Sequence, residues 1–394
     1  MIKLFKLFLC VFLVLPCISL SAFDFGLIVD QTPALNGSGS DVQFDYQGIV
    51  IPRFSALLGD NGKIFVSLGA NFQNDPWSLV PELLRTEFSW RFDNGEIKAG
   101  RIQYSDPLGF VANGLFDGAH FSYDTTIGSF SAGAWYTGLL YKKRVEITMT
   151  EKEQEDFHTP LDYNSFYKTY FAPNRIIAAL GWEHPAMGEV LRAKVAILGQ
   201  FDLSGENLHT QYVMGTATLP LGNFIFSIGG CLELLQKSSD FGLGLVGELG
   251  VTWLLPSKIE DRLMLFGRFS SGTFGDSTLK AFLPITTSYQ GSVLKEKISG
   301  LSMINLEYLA RIHRTFSAGI SSSYFIRSDL NTFTILGNDG WFLGNEFFGK
   351  LMWSPVSDVQ VNFGGGLFLP QLGNAAPDAD VLWRIELNVV LSLF

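Results

Sequence analysis

"RTEFSWRFDNGEIK", Arg85 to Lys98, alternates residue by residue. Arg85, Glu87, Ser89 and Arg91 fall on one side, and Thr86, Phe88, Trp90 and Phe92 on the other. A period of two is that of a β-strand. Asp93-Asn94-Gly95 is a tight-turn signal that returns the chain as a hairpin. Two opposite assignments of the faces exist. In a soluble sheet the aromatic face is core and the charged face is surface. In a membrane barrel the aromatic face meets lipid and the charged face lines water. The rest of the chain decides between them.

The chain has 394 residues and is 47% hydrophobic and 14% aromatic, with 35 Phe and 41 Gly. No segment beyond the N-terminus approaches the roughly 18 uninterrupted apolar residues of a spanning helix. That leaves a very large β core or a β-barrel in lipid. At the N-terminus, Lys3 and Lys6 precede the apolar run Leu7 to Leu15 and the small residues Ser19, Ser21 and Ala22. This pattern reads as an export signal over residues 1–21, with a mature chain of 22–394. Cys10 and Cys17 leave with the signal and Cys231 remains, so neither an intrachain disulfide nor a zinc cluster is expected. The formal charge is −10, and losing Lys3 and Lys6 makes it −12. An acidic chain of this kind excludes nucleic acid as a partner.

Strand-like segments recur about eighteen times between residues 24 and 394, with sixteen the nearest other even count. Their links sort by parity. Short links such as "GDNG", "DNG", "TTIG", "HPAMG" and "LPLG" follow even strands. Longer ones follow most odd strands: "QTPALNGSGS", "QNDPWSLVPE", "YSDPLGFVANGL", then Lys142 to Pro173, Phe274 to Lys297, Ser328 to Gly340 and Gln371 to Asp380. Short turns on one rim and long loops on the other are the mark of an outer-membrane barrel. A sandwich has no reason to sort its loops this way. The apolar faces also carry almost no charge. Lipid requires this, because a mid-depth charge there costs about 2–4 kcal/mol. The expected fold is therefore all-β: a single transmembrane, antiparallel, up-and-down barrel in the bacterial outer membrane. A sheet of that size closes without edges and is too wide for side chains to fill, so water enters. Outer-membrane lipid, the barrel-assembly machinery and hydrophilic solutes are the expected partners.

On the inward face, Arg85, Arg91, Arg192, Lys194, Arg268, Arg311, Lys350 and Arg384 are the candidate pore-lining cations. Inward acids nearly balance them, so the acidic excess lies in loops such as "EKEQED" at Glu151 to Asp156. Two readings follow. A ring of Arg and Lys favours anions. Alternatively, Arg85 with Glu87 and Arg384 with Glu386 neutralise one another as ladders that stiffen the wall. The longest link, Lys142 to Pro173, carries Tyr163, Phe166, Tyr167, Tyr170 and Phe171. It reads first as an exposed, mobile surface loop and second as a constriction folded inward.

"GRIQYSDPLGFVANGLFDGAHFSY", Gly100 to Tyr123, resembles the alginate-export type of outer-membrane porin in its "GR.Q" opening and its later "FDGA". The resemblance implies an eighteen-stranded barrel with an Arg- and Lys-lined anion path, and makes Arg101 a lumen residue of that path. The alternation slips at Gly100, where a bulge would restore it. The terminal Phe394 resembles the end of barrels handed to the assembly machinery, although Leu393, Leu391 and Val389 occupy the opposite face from it.

An enzyme is not expected. His120, Ser122 and Asp124 share one face of one strand and read as a polar pore lining. "GLGLVGELG", Gly242 to Gly250, lacks the Lys-Ser/Thr of a phosphate loop. No metal-ligand spacing and no cofactor motif is present. The sequence thus points to a passive channel for hydrophilic solutes, with anionic solutes or oligosaccharides as the sharper version. The other reading is an adhesin or structural barrel without conductance.

Overall fold

The computed structural model describes residues 20–74, 77–205, 208–237, 240–273, 278–329 and 340–393. The expected signal falls outside these residues except at its end, and Phe394 falls outside them too.

Eighteen strands form one sheet. In chain order they begin with β1 (Leu20–Ser38), β2 (Asp41–Leu58), β3 (Gly62–Asn74), β4 (Trp77–Phe92), β5 (Gly95–Ser105) and β6 (Asn113–Thr125). Next come β7 (Gly128–Tyr136), β8 (Arg175–Met187), β9 (Leu191–Asp202), β10 (Leu208–Leu221), β11 (Phe224–Lys237), β12 (Asp240–Leu254) and β13 (Arg262–Ser270). After a two-stranded insert, β14 (Tyr289–Gln290) and β15 (Glu296–Lys297), the sheet resumes with β16 (Leu301–His313), β17 (Phe316–Arg327), β18 (Phe342–Val356), β19 (Val359–Leu369) and β20 (Leu382–Leu393). Every neighbour is antiparallel, and β20 pairs back onto β1 from Leu27↔Leu393 to Ser38↔Leu382. The sheet is therefore a closed barrel.

The opening stretch shows which side is out. Phe88 and Trp90 on β4 are 39% and 42% exposed, whereas Glu87 is 8% exposed. The same face of other strands presents Phe130, Leu180, Ile197, Leu249 and Ile320. This apolar exterior suits lipid, where the closed ladder pairs the wall's backbone groups internally except where β4 and β12 outrun their neighbours. The ionic face encloses the lumen.

The largest packed apolar cluster lies inside the barrel. Phe110 and Val111 from the β5–β6 link, Leu140, Val145 and Ile147 from the β7–β8 segment, and Phe282 and Ile285 from the β13–β16 segment pack together. They meet inward residues of the wall: Tyr212, Met214, Cys231 and Val246. The β7–β8 segment is thus not the exposed, mobile loop that its charge and length suggested. Its aromatic and aliphatic side chains bury against the wall, which offsets the entropy of ordering the chain.

Two other links are also strands. "QTPALNGSGS" runs as the upper half of β1, paired to Ser38↔Asp41; of "QNDPWSLVPE", Gln73 and Asn74 end β3 and Trp77 to Glu82 begin β4, paired up to Asn74↔Trp77, with Asp75 and Pro76 outside the described residues. Pro33 and Pro81 made both look like loops. A proline is tolerated in a strand where its missing N–H has no ladder to join.

Candidate functional site

Three segments narrow the lumen, and buried charges hold each of them. In the β5–β6 link, the Asp106 carboxylate accepts from the N–H groups of Leu108 (2.8 Å), Gly109 (3.0 Å), Val111 (2.9 Å) and Ala112 (2.8 Å). Burial raises the Asp106 pKa, opposed by these four donors. In the β7–β8 segment, Arg144 donates to both oxygens of Glu82 on β4 at 3.0 and 3.1 Å. The helix Glu151–His158 begins with a reciprocal capping box between Thr150 and Glu153. Glu153 also ion-pairs with Arg175, which is fully buried at the start of β8.

In the β13–β16 segment, Leu283 N donates to Glu233 on β11 at 2.8 Å. Ser292, Val293 and Leu294 donate their N–H groups to Glu346 on β18 at 2.7, 2.9 and 2.9 Å. The segments also join one another, through Thr286 N to Val111 O (3.1 Å) and Thr287 N to Glu146 O (2.9 Å). Buried carboxylates are costly without donors, so Glu82, Glu233 and Glu346 act as docking posts on the wall.

The expected cations are distributed around the wall, and most are paired. Arg85 meets Glu87 at 2.5 Å, Lys194 meets Glu183 at 3.0 Å, and Lys350 meets Glu307 at 2.7 Å. Arg384 meets Glu386 at 2.7 Å and Asp45 at 3.7 Å. Arg268 meets Glu248 at 2.5 Å and lies 4.5 Å from the centre of the Phe110 ring, which pins the β5–β6 tip. Arg91–Glu96 (3.4 Å) and Arg311–Glu260 (3.2 Å) are exposed pairs near the short-turn rim. Among the described residues, Arg192 enters no ion pair.

Arg101 is placed differently from the lumen position implied by the resemblance. It pairs in register with Thr86, on the side of Phe88, and is 5% exposed. It ion-pairs with Asp117 at 2.7 Å and donates to Leu139 O at 3.0 Å and to Leu83 O. It fastens the wall.

The inserted segment also supplies cations to the lumen. Lys295, at φ 49°, stands with Val293 across a cavity of about 370 Å³ from Asn36, Asp45 and Arg384. Burial lowers the Lys295 pKa and Arg384 adds to the effect, while Glu386, Asp45 and Glu146 oppose it. Burial likewise lowers that of Lys297, against Glu146 and Glu296. Glu146 is raised by burial, with Tyr289 and three lysines opposing.

A second cavity, about 340 Å³, is lined by Lys98, His120, Ser122, Ser131, Glu183 and Lys194 beside Tyr104 to Pro107. Asp124 hydrogen-bonds Ser129, so it does not orient His120. Among the described residues, no three His, Cys, Asp or Glu side chains gather as a metal site.

No family model matches the chain. No curated protein matches it either. Solved structures do. Pseudomonas aeruginosa OpdO aligns at TM-score 0.65 and 11% identity, covering 95% of this chain and 98% of that one. Pseudomonas aeruginosa OccK2 (OpdF), also solved in complex with glucuronate, aligns at TM-score 0.64 and 10% identity over 95% and 98%. Acinetobacter baumannii OccAB1 aligns at TM-score 0.62 and 12% identity over 96% and 98%. The eighteen-stranded fold is the one these porins share.

Proposed function

We propose that the protein is a passive outer-membrane channel for hydrophilic solutes, with small organic anions favoured. One observation carries this reading. A closed barrel with an apolar exterior encloses an ionic lumen, and segments folded inside narrow that lumen. Lys295, Lys297 and Arg192 supply positive charge beyond the paired wall residues, which favours anions. The solved neighbour that holds glucuronate supports a sugar acid as the first solute to try. The longer, oligosaccharide version rests on the residues of Gly100 to Tyr123 alone. Outer-membrane lipid and the assembly machinery complete the set of partners, and the reading assigns no covalent chemistry to His120 and its neighbours.

Planar-bilayer recording of the purified protein tests this. The expected result is discrete conductance, a reversal potential of anionic sign in a salt gradient, and transient block by glucuronate. Absence of conductance would return the protein to the adhesin or structural reading, and cation preference would remove the anion version.

A further inference from the structure

The wall has a seam on its long-loop side. β4 and β5 pair from Phe92↔Gly95 only as far as Thr86↔Arg101, although β4 continues to Trp77 on its ladder with β3. Above that point β5 leaves with β6 for the interior, where Ile102 and Phe116 are fully buried. Gly100 makes the departure possible: it lies at φ 107°, and an added Cβ would overlap Thr86 O.

The edge of β4 left behind is tied by side chains alone. Leu79 O accepts from Tyr163, Pro81 O from Tyr170 at 3.0 Å, and Leu83 O from Arg101. Pro81 has no N–H to leave unpaired there. The freed edge of β12 is treated differently. Main-chain bonds close it, through Leu243 N to Thr278 O, Lys280 N to Leu243 O and Ser271 N to Leu245 O, each 2.8 Å.

The seam is layered from lipid to lumen. Outside, Leu79, Leu83 and Leu139 are exposed apolar residues of the lipid-facing surface. Behind them, Val80, Tyr141 and Tyr170 pack with Phe166 and Phe171, with ring centres 4.9 Å apart for Tyr141–Tyr170 and 4.5 Å for Phe166–Tyr170. Innermost stands Arg144, its side chain 32% exposed, against Glu82 at 2%. Two of the three carbonyl ties, and the Arg144–Glu82 pair besides, come from the β7–β8 segment, which belongs to no wall ladder, so it can withdraw without unpairing a strand.

We propose that this seam is a lateral portal, through which an amphiphile with an acyl or aromatic body and a carboxylate head passes between the outer leaflet and the lumen. The body replaces the aromatic layer and the head competes for Arg144. The proposal is separate from axial conduction of hydrophilic solutes, and either can fail alone.

The test uses full-length protein in proteoliposomes, with Phe166 replaced by the photo-crosslinker p-benzoylphenylalanine and dodecanoate as probe. Irradiation is expected to give a dodecanoate adduct at position 166. The adduct should rise about thirtyfold in a Tyr163→Phe, Tyr170→Phe background, the worth of two ordinary hydrogen bonds. The same replacement at lipid-facing Leu79 should label equally in both backgrounds. If the Phe166 replacement does not insert, Tyr141 takes its place, and the heat-resistant folded band of each variant on a gel reports folding. Intrachain adducts alone at position 166 or 141, with Leu79 labelled and the folded band intact, would overturn the portal whatever the bilayer recording shows.

Discussion

At the scale of single residues, the charges of the lumen divide into fasteners and free cations. Lys194 has a partner, Glu183, and both side chains are nearly half exposed, so the pair contributes no more than about 1 kcal/mol. Arg192 has none among the described residues. Arg192→Ser should therefore weaken anion preference more than Lys194→Ser does, read as a shift in reversal potential. Equal shifts would show that pairing does not mute Lys194. Gly100 makes a second prediction. Gly100→Ala forces a side chain into the left-handed region and against Thr86 O. A cost of about 1–3 kcal/mol is expected, seen as a smaller fraction of heat-resistant folded barrel on a gel. Wild-type yield would mean the seam tolerates a Cβ.

The strands and segments differ in how far the sequence reveals them. The wall was legible because period two recurs in most strands, and lipid keeps charge off nearly all of the outward face. The inward segments were not. The β13–β16 segment is held by wall carboxylates meeting backbone N–H groups far along the chain, as Glu346 meets Ser292 to Leu294. A backbone donor leaves no mark in a sequence. Glu82 was hidden for another reason: Pro81 beside it made a strand look like a link. Glu346→Gln keeps the shape but trades charge-assisted acceptors for one neutral oxygen, at a cost of about 3 kcal/mol to the dock. The β13–β16 segment should then fluctuate, giving noisier and larger single-channel currents. Currents indistinguishable from wild type would show that Glu233 and the apolar cluster suffice to hold it.

At the scale of the whole molecule, the lumen reads as a channel whose positive charge is partly titratable. The Lys295 and Lys297 ammonium groups sit below the usual lysine range because of burial. Raising the pH therefore removes their charge before that of an ordinary lysine, while the arginines stay charged. Anion preference should fall at alkaline pH, starting below the ordinary lysine pKa of 10.5. A reversal potential flat up to that value would place these lysines away from the ion path. Added salt should also weaken the preference, as screening shortens the reach of the remaining charges to about 3 Å at 1 M.

The interior apolar cluster has a practical corollary. Cys231, a free thiol, sits within it and is 2% exposed. A maleimide offered from the aqueous side can reach that sulfur only while the covering segments are displaced. The native protein thus carries its own clock for how often these inner segments lift, read as a labelling rate at Cys231 with no engineered cysteine.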